Sequence, residues 1–519
     1  MVPAPEPAPL PLDGEWTPSV SPAEYAAVID CIKERIARGD TYQVNYTFRL
    51  RRPFDGDAWA LFRALRPAQQ AAYPAYVDLG RYAVCSVSPE LFFARQGRQV
   101  IDRPMKGTAP RGRWSAEDRA QADWLRRSEK NRAENVMIVD MLRNDLGRVA
   151  EVGSVGVPWL FDVERYPTVW QMTSTVTANT GVAQADLLAA LFPCASITGA
   201  PKTRTTHIIA ELEADPRRIY TGCLGFFGPG GRAQFNVVIR TVLVDRETSQ
   251  AEYGVGGGIV WDSDAGDEYE ECRHKARVLS EPRPDFALFE TLLWSRKTGG
   301  YWLLDYHLRR LEESADYFGF ALKVGAARRK LEELARILAE ARILTEARIL
   351  TEATNLTQGE HRVRLQVEAG GAITCTSEPF GEQGARGRPV ADEDEEACVA
   401  RLGLAPGPVD SSQRWLYHKT TQRQVYAAAQ AGCPDCNDVL LWNERGEVTE
   451  TCVGNVVARL DGRLVTPPVS CGLLPGTMRA WLLDQGEVSE QVFRVDQLDS
   501  CDLYRVNSLR GWQRAVLLR

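Results

Sequence analysis

Lys106 lies in the stretch RPMKGT (103–108), close to a proline and a glycine in an otherwise strand-like region. A lone lysine is usually a surface residue. Glu90, in the motif SPE (88–90), comes sixteen residues earlier and one hairpin away, so the two side chains can face each other across paired strands. A lysine kept neutral by desolvation is a nucleophile, and a neighbouring carboxyl can act as acid or base. We therefore take Lys106 and Glu90 as candidate catalytic residues.

Carboxylates also occur on two segments with helical periodicity. Glu134 lies at the N-terminal end of the apolar stripe of AENVMIVDMLRND (133–145), and Glu268, Glu271 and Lys275 share one face of a second helix. Carboxylates from two helices suit Mg²⁺, which takes few protein oxygens and leaves room for waters and an anionic substrate. Either segment alone is more often a solvated charged face.

Two glycine-rich turns complete the candidate site in the first half of the chain. The motif SITGAPK (196–202) begins a predicted helix, and GGGIV (256–260) ends a predicted strand. Backbone N–H groups at such turns bind carboxylates or phosphates. Neither turn has the spacing of a nucleotide-binding loop.

The second half contains another lysine in a polar sequence context. Lys419 lies in YHKT (417–420), and Glu450 follows a turn and begins a short segment that ends at Asn455. The motifs GLLPGTMR (472–479) and NSLR (507–510) follow. Each of these motifs is weak by itself, since Lys419 in this setting is an ordinary surface residue in most chains.

The elements that position these residues indicate an α+β fold. Residues 21–39 predict a helix, with Ser21 as its cap, Pro22 in its first turn and Gly39 at its end. Strand-like segments follow, then helical stretches around 115–148 and 184–193, and then more strands.

Domain boundaries follow from composition. We expect a disordered tail over 1–20, one domain over 21–280, a linker over 281–285 and a second domain over 286–519. The second domain begins with two strands and an amphipathic helix. The hexapeptide repeat ARILAE-ARILTE-ARILTE (335–352) is interpreted as a lengthened helix, because a period of six does not sustain a coiled coil.

Bulk properties limit the function classes. The 519 residues carry 62 basic and 69 acidic side chains, a net charge of −7, which argues against nucleic acid as a partner. No apolar run could span a membrane, and the N-terminus lacks the features of a secretory signal, so we expect a cytoplasmic protein. The 12 scattered cysteines indicate reduced thiols. Cys433 and Cys436 have redox or zinc spacing, but no second pair lies near them.

The first half resembles the chorismate-utilising family that includes anthranilate synthase and aminodeoxychorismate synthase large subunits. The resemblance covers about 21–280 and is carried by GDTYQVNYT, SPELF, RPMKGT, AENVMIVDMLRNDLGRV, SITGAPKTR, IRT and GGGIV followed by EYEEC. It implies a sandwich-type α/β domain with a shortened front part. It implies that Glu134, Glu268 and Glu271 are Mg²⁺ ligands. It also implies that the carboxylates of the substrate are held by Arg240, Lys275, Thr198, Gly256, Gly257 and Gly258.

Two positions vary within this family. Anthranilate synthases usually have alanine where Lys106 stands, and aminodeoxychorismate synthases commonly have lysine. The resemblance therefore implies that Lys106 attacks C2 of chorismate while Glu90 helps the C4 hydroxyl to leave and ammonia enters at C4. Gln171 replaces a histidine of many relatives and receives no chemical role, because an amide cannot shuttle a proton.

The second half, over about 285–519, resembles the fold-type IV pyridoxal-phosphate family of D-amino-acid and branched-chain aminotransferases and aminodeoxychorismate lyase. This resemblance implies a two-subdomain α+β unit with Lys419 as the lysine bonded to pyridoxal phosphate and Glu450 paired with its pyridinium nitrogen. It implies phosphate contacts from Arg310, with Arg309 less favoured, and from Thr477 and Ser508. Met478 is typical of the lyases, whereas the aminotransferases often have threonine there.

Together the two resemblances imply 4-aminobenzoate synthesis for folate: Mg²⁺-dependent amination of chorismate, then pyridoxal-phosphate-dependent elimination of pyruvate. Ammonia comes either free or from glutamine through a separate glutaminase subunit, because Cys223 is interpreted as a buried strand residue and no histidine suits a triad. A homodimer through the second domain is left open. Two alternatives remain: an anthranilate-type synthase fused to an aminotransferase, or a second half that is a non-catalytic interaction module.

Overall fold

The computed structural model describes residues 15–69, 72–279, 285–346, 359–381 and 399–518. Three predicted features lie wholly or partly outside this range: residues 1–14 of the tail, 281–284 of the linker and 347–352 of the repeat. The chain divides into two compact units. The first contains residues up to 111 together with 120–284, and the second contains 112–119 together with 285–519.

The helices described before residue 280 include the two predicted over 21–39 and 184–193, whose ends lie within about two residues of the prediction, and one over 58–69 that was not predicted. They are α1 Pro22–Ala37, α2 Ala58–Gln69, α3 Ser115–Arg127, α4 Glu129–Gly147, α5 Gln184–Leu191, α6 Lys202–Leu212 and α7 Ala265–Ala276. The predicted cap of α1 is confirmed, since Ser21 and Glu24 form a reciprocal capping box. The predicted 115–148 stretch is two helices, because the Ser128 side chain accepts from Asn131 N and starts α4.

Two sheets form the first unit. Their strands are β1 Thr17–Pro18, β2 Gln43–Pro53, β3 Tyr73–Asp78, β4 Tyr82–Ser88, β5 Leu91–Gln96, β6 Gln99–Arg103, β7 Met105–Pro110, β8 Gly156–Arg165, β9 Val169–Asn179, β10 Gly199–Ala200, β11 Cys223–Gly228, β12 Arg232–Val237, β13 Thr241–Asp245 and β14 Gln250–Ile259. One sheet has the order β1-β2-β14-β13-β4-β3, with β10 also paired to β2; the other has β11-β12-β5-β6-β9-β7, with β8 paired to β9.

Apolar side chains form a separate core on each sheet. In the first, Tyr25 and Ile29 of α1 pack with Val44, Phe48 and other residues of β2. In the second, α4 and α5 contribute the buried residues that cover Phe93 and its neighbours. Burying each large apolar side chain stabilises the fold by about 1.5–3 kcal/mol. These cores hold the ends of β2, β7, β14 and α7 in place.

The second unit contains a four-stranded and an eight-stranded sheet. Its strands are β15 Leu288–Ser295, β16 Gly300–Tyr301, β17 Glu360–Val367, β18 Ile373–Phe380, β19 Ala400–Leu404, β20 Asp438–Trp442, β21 Val448–Thr451, β22 Asn455–Leu460, β23 Arg463–Thr466, β24 Ser489–Glu490, β25 Asp502–Asn507 and β26 Gly511–Leu517. The four-stranded order is β16-β15-β17-β18. The larger sheet has the order β21-β20-β19-β26-β25-β22-β23-β24, and an additional β21–β22 pairing closes part of it into a ring.

The helices of the second unit are α8 Leu304–Phe318, α9 Val324–Glu346, α10 Gln424–Ala431 and α11 Thr477–Asp484. The predicted order of two strands followed by an amphipathic helix is confirmed in β15, β16 and α8. The described part of the hexapeptide repeat belongs to α9, in agreement with a lengthened helix. None of the helices within the described ranges combines the length and the apolar character needed to cross a bilayer.

Candidate active sites

A cleft of about 560 Å³ in the first unit collects most of the predicted residues. The predicted residues that line it are Glu90, Lys106, Glu134, Arg240, Gly256, Gly257, Gly258, Glu268, Glu271 and Lys275. Thr198 does not line it: its hydroxyl donates to the Cys194 carbonyl at 2.7 Å, and its carbonyl accepts from Asn45 N. The predicted substrate role of Thr198 therefore has no geometric support, whereas its neighbour Ser196 lines the cleft.

Lys106 projects from β7, and its backbone is firmly held. The Asn135 side chain donates to the Lys106 carbonyl at 3.2 Å, and Gln171 Nε2 donates to the Gly107 carbonyl at 2.8 Å. Gly107 has a φ of 98°, a conformation that favours glycine. Burial lowers the pKa of Lys106 although Glu134 opposes the shift, so the neutral, nucleophilic amine is favoured.

Glu90 lies immediately before β5, and its buried carboxylate has two donors. Ser196 Oγ donates to Glu90 Oε1 at 2.7 Å, and Met105 N donates to the same oxygen at 3.4 Å. Burial raises the pKa of Glu90 to about 7, against these hydrogen bonds. The predicted pairing with Lys106 is different in detail: β5 pairs with β6, whereas Lys106 lies beyond that hairpin in β7, which pairs with β9.

The acidic face of α7 is arranged around Lys275. Lys275 Nζ lies 2.6 Å from Glu271 Oε1 and donates to the Gly256 carbonyl at 2.8 Å. Lys275 lowers the pKa of Glu271. Burial acts to lower the pKa of Lys275, but the charges of Glu271 and Cys272 and the hydrogen bond with Glu271 together raise it. Glu268 accepts from Ser263 Oγ at 2.7 Å, and burial raises its pKa. Lys275 therefore carries the positive charge that a carboxylate ligand requires.

The three predicted metal ligands do not form a ready-made metal cluster within the described residues. Glu134, Glu268 and Glu271 line the same cleft, but Glu271 is ion-paired and Glu268 is hydrogen-bonded. Mg²⁺ commonly uses one or two carboxylates and takes its remaining ligands from water and substrate oxygens. The donor set therefore fits Mg²⁺ that binds together with an oxyanionic substrate.

The glycines of β14 permit close approach to the backbone. A Cβ at Gly258 would lie 2.5 Å from Lys106 Nζ and 2.1 Å from Gln43 Nε2, and one at Gly257 would lie 2.9 Å from Glu268 Oε2. Only glycine admits these polar groups so close to the strand. Arg240 approaches from the other side, where its guanidinium donates to the Lys275 carbonyl at the end of α7.

Sequence reasoning missed several residues in or beside the cleft, and Gln43, which lies next to Lys106 at the Gly258 end of β14, is the clearest. Its amide is 1% exposed, and neither its nitrogen nor its oxygen has a hydrogen-bond partner among the described residues. A buried amide without partners is costly, which suits a group that awaits a ligand. Asn135 and Ser196, which hold Lys106 and Glu90, were also missed. Gln43 lies inside the motif GDTYQVNYT, where a polar residue in a buried strand was the available signal.

In the second unit, Lys419 lies in an environment that favours the neutral amine. Burial, assisted by the nearby Arg310, lowers the pKa of Lys419 to about 7 although Glu290 opposes it. Lys419 Nζ is 4.8 Å from the centre of the Phe289 ring, and the Lys419 carbonyl accepts from Phe289 N at 3.1 Å. The predicted lysine is thus half-buried, oriented and favoured as a nucleophile.

Glu450 is held near Lys419 by α10. Its Oε1 accepts from the Tyr426 hydroxyl at 2.8 Å, and burial raises its pKa to about 8. Such a carboxyl suits a buried pyridinium nitrogen, since a positively charged partner would restore its ionised form. Lys419 and Glu450 therefore fit pyridoxal phosphate as predicted.

The predicted phosphate contacts lie near the start of α11. Arg310 Nη1 donates to the Pro475 carbonyl at 3.3 Å, and its Nε and Nη2 contact Glu290 at 2.9 and 2.6 Å. Thr477 begins α11 after Gly476, which offers no side-chain cap, so the first N–H groups of the helix suit an anion. Ser508 is buried. Arg310 is thus already ion-paired with Glu290, a contact that sequence reasoning did not include.

Met478 packs in an apolar cluster with Val457, Leu482 and Val506. It is a core residue at the start of α11 and does not identify a reaction by its own chemistry.

Two further arginines surround Lys419. The Arg364 guanidinium lies 4.1 Å from the centre of the Phe289 ring, the same ring that Lys419 approaches. Arg423 lies 4.2 Å from the Tyr426 ring and donates to the Cys452 carbonyl at 2.6 Å. Burial and the charge of Arg423 lower the pKa of Arg364, which indicates an excess of positive charge. An anionic ligand would relieve it.

Comparisons with known proteins cover both halves. Residues 3–281 match the chorismate binding enzyme family, and residues 287–517 match amino-transferase class IV. The first half is 45% identical over 259 residues to aminodeoxychorismate synthase of Streptomyces griseus (49% of this chain, 35% of that protein). It is 42% identical over 258 residues to an anthranilate synthase component 1 of Haloarcula marismortui (49% of this chain, 52% of that protein).

A solved structure aligns with the other half. A Mesorhizobium loti protein, provisionally described as an amino-acid aminotransferase, is 35% identical, with a TM-score of 0.36, over 45% of this chain and 100% of that one. The chain spans 35% and 52% of the length of the two curated relatives named above. Only these parts of the two relatives correspond to the first half of this chain.

Proposed function

We propose that this chain, which belongs to the chorismate binding enzyme family and continues into an amino-transferase class IV sequence, converts chorismate to 4-aminobenzoate in two steps. The observation that carries the first step is that Lys106 and Glu90 line one cleft together with Lys275 and the glycines of β14. Two pKa shifts agree with this arrangement. Lys106 is shifted toward its neutral form, and the pKa of Glu90 is raised to about 7. A neutral amine and a protonated carboxyl are the nucleophile and the acid that this substitution requires.

In the first step, Lys106 Nζ forms a bond to C2 of chorismate. The two conjugated ring double bonds shift around the ring toward C4 and the C4–O bond breaks, with Glu90 supplying the proton that lets the hydroxyl leave as water. Ammonia then bonds to C4, both double bonds shift back and the C2–N bond breaks, which releases Lys106. The excess protons return to Glu90 and solvent, and the enolpyruvyl group remains on the product, which is aminodeoxychorismate.

The cleft provides the groups that hold the substrate during this exchange. Lys275 and the backbone around Gly256–Gly258 lie where a carboxylate would meet positive charge and N–H donors. Glu134, Glu268 and Glu271 would hold Mg²⁺, which neutralises the charge of a carboxylate when bound. Gln43 offers an unused donor and acceptor beside Lys106. These groups orient chorismate, and Glu90 transfers the proton.

In the second step, aminodeoxychorismate loses pyruvate at the Lys419 site. Pyridoxal phosphate, when bound, withdraws electrons from the amine-bearing carbon. Lys419 removes the proton from C4 as a general base, which its pKa of about 7 suits. The C3–O bond then breaks, the ring becomes aromatic, and the enolpyruvate that leaves takes up a proton to become pyruvate. Glu450 would hold the cofactor ring, and Arg310, Thr477 and Ser508 its phosphate. Arg364 and Arg423 would bind the carboxylates of the substrate.

The rival function is an anthranilate-type synthase joined to an aminotransferase. These are the descriptions of the Haloarcula and Mesorhizobium proteins. Lys106 argues against it, because its amine lies in the cleft beside Gly258 of β14 and burial lowers its pKa. The polar constellation around Lys419 argues equally against a non-catalytic second half.

Ammonia would come from a separate glutaminase subunit or from solution. The predicted buried strand residue Cys223 begins β11 but is half-buried, and burial raises the pKa of its thiol, which makes it a poor nucleophile. A homodimer through the second unit and a cytoplasmic location belong to the same proposal.

The test is product identification. Purified protein receives chorismate, Mg²⁺, ammonium and pyridoxal phosphate, and aromatic products are identified by mass and chromatography. We expect 4-aminobenzoate from the wild type and none from Lys106→Ala or Lys419→Ala. Anthranilate from the wild type would show that the assignment of Lys106 is wrong, and transamination of D-amino acids without 4-aminobenzoate would support the rival.

A further inference from the structure

The segment Gly112–Arg119 belongs to the second unit, although its sequence lies inside the range that matches the chorismate binding enzyme family. Tyr317 of α8 donates its hydroxyl proton to the Gly112 carbonyl at 2.7 Å, and Ser115 Oγ donates to the Glu313 carbonyl at 3.3 Å. Both contacts are to residues of the second unit. The segment is therefore part of the structure that surrounds α8.

The segment is internally rigid. A Cβ at Gly112 would lie 2.1 Å from Asp118 N, so the backbone turns tightly there, and Gly112 N donates to Asp118 Oδ1 at 2.9 Å. The Arg113 guanidinium contacts the Glu117 carboxylate at 2.8 Å. Such pre-organisation lets a short segment hold its contacts with little loss of entropy on docking.

Trp114 and Arg113 pack on Tyr417, two residues before the candidate catalytic lysine. The Trp114 and Tyr417 rings are stacked, with centres 5.1 Å apart and planes at 28°. The Arg113 guanidinium lies 4.8 Å from the Trp114 ring and 5.6 Å from the Tyr417 ring. Arg113 Nη1 and the Tyr417 hydroxyl both donate to the Ser411 carbonyl, at 3.3 and 2.6 Å. The Tyr417 side chain is thus fixed on its ring face and at its hydroxyl.

His418 is fixed by the same segment. Its Nε2 lies 3.2 Å from the Arg113 carbonyl, and its Nδ1 lies 3.0 Å from Ser314 Oγ. A carbonyl oxygen only accepts, so Nε2 carries the proton and Nδ1 accepts from the serine. The ring also packs 4.3 Å from the Tyr317 ring and is 4% exposed. The imidazole therefore has one orientation and one tautomer.

We propose that Arg113 and Trp114 are positioning residues for the Lys419 site, acting through Tyr417 and His418. This inference rests on the proposed function for its consequence in catalysis. Lys419 directly follows Tyr417 and His418, which the segment fixes. A shift of either side chain would therefore change the direction in which Lys419 Nζ points. A displacement of about 1 Å at a catalytic group costs about 100-fold in rate. The second site is therefore completed by residues from within the sequence of the first family.

The experiment compares full-length Trp114→Ala and Trp114→Phe with Trp159→Ala, a control at an exposed tryptophan of the first unit. Each protein is loaded with pyridoxal phosphate, and the absorbance of the Lys419-bound cofactor is titrated with pH. The elimination step is measured with supplied aminodeoxychorismate. We expect Trp114→Ala to shift the midpoint of the titration and to lower kcat about tenfold or more, with little change in KM. Trp114→Phe should restore most of the midpoint and most of kcat. The Trp159→Ala control should match wild type.

A purely structural role has a different outcome: Trp114→Ala would unfold at lower denaturant while its absorbance titration and kcat stay at wild-type values. That result would overturn the proposal. If Trp114→Ala does not fold, His418→Gln provides the test, and a wild-type titration and a wild-type kcat in that variant would equally overturn the proposal. If the wild type binds pyridoxal phosphate but eliminates no pyruvate, the proposed function fails, and the titration still decides whether the segment positions Lys419.

Discussion

Gly258→Ala tests the geometry of the first site with a single methyl group. The new carbon would lie 2.1 Å from Gln43 Nε2 and 2.5 Å from Lys106 Nζ, whereas carbon and nitrogen atoms in contact lie about 3.5 Å apart. Gln43 Nε2 must therefore retreat by about 1.4 Å and Lys106 Nζ by about 1 Å. A displacement of that size at the attacking atom lowers the amination rate about 100-fold, equivalent to about 3 kcal/mol.

The assay measures ammonia-dependent loss of chorismate, and separately the release of pyruvate from supplied aminodeoxychorismate. We expect Gly258→Ala to slow the first reaction and leave the second unchanged. Gly147→Ala is the matched control, because a Cβ there meets no atom within 4 Å. If Gly258→Ala aminates chorismate at more than half the wild-type rate, Lys106 Nζ is not held against β14 as the structure has it.

Three more predictions concern the second unit. The rate at which pyridoxal phosphate attaches covalently to Lys419 should increase as pH rises, because only the neutral amine attacks. The midpoint of this increase should lie near the pKa of about 7 and not near the ordinary 10.5. Stopped-flow absorbance measures the rate. Tyr426→Phe removes a hydrogen bond that lowers the pKa of Glu450, and the pKa of Glu450 should therefore rise further. The affinity for the cofactor, measured by equilibrium binding, should weaken about tenfold. Unchanged binding would count against the contact between Tyr426 and Glu450. Arg505→Met leaves the buried Asp438 without its ion-pair partner, the Arg505 guanidinium at 2.9 Å. The free energy of unfolding, measured by denaturant titration, should fall by about 3–5 kcal/mol. A loss below about 1 kcal/mol would contradict this prediction.

Local sequence rules predicted the features that depend on neighbouring residues. The cap of α1 at Ser21 follows from hydrogen bonds within one turn, and the end of α1 before Gly39 follows from backbone conformation. The same holds for the glycine-rich end of β14. Residue chemistry and spacing indicated Lys106 and Glu90, the family resemblance supplied their roles, and the structure brings both to one cleft.

Features that depend on distant pairing could not be read in this way. Gln43 reaches Lys106 because β14 pairs with β2, a contact between segments about 200 residues apart. Thr198 turns away because its neighbourhood pairs with β2 through β10, which leaves Ser196 on the cleft. Likewise, nothing local to GRW (112–114) indicates that it packs against Tyr417, since stacking partners far apart in sequence leave no periodic pattern.

The break at Ser128 shows a middle case. The predicted helical stretch of 115–148 has the right composition, but Ser128 has a better use as an N-cap than as an interior residue. Serine between two apolar-periodic segments was a visible signal, and a stricter capping rule would have divided the stretch.

Complementation between two inactive variants tests the central claim most directly. Lys106→Ala keeps the second site and Lys419→Ala keeps the first, so neither alone should form 4-aminobenzoate from chorismate, ammonium, Mg²⁺ and pyridoxal phosphate. When the two are mixed, we predict that aminodeoxychorismate released by Lys419→Ala is converted by Lys106→Ala, and 4-aminobenzoate appears after a lag. Anthranilate from Lys419→Ala, or no 4-aminobenzoate from a mixture in which the intermediate accumulates, would contradict the account.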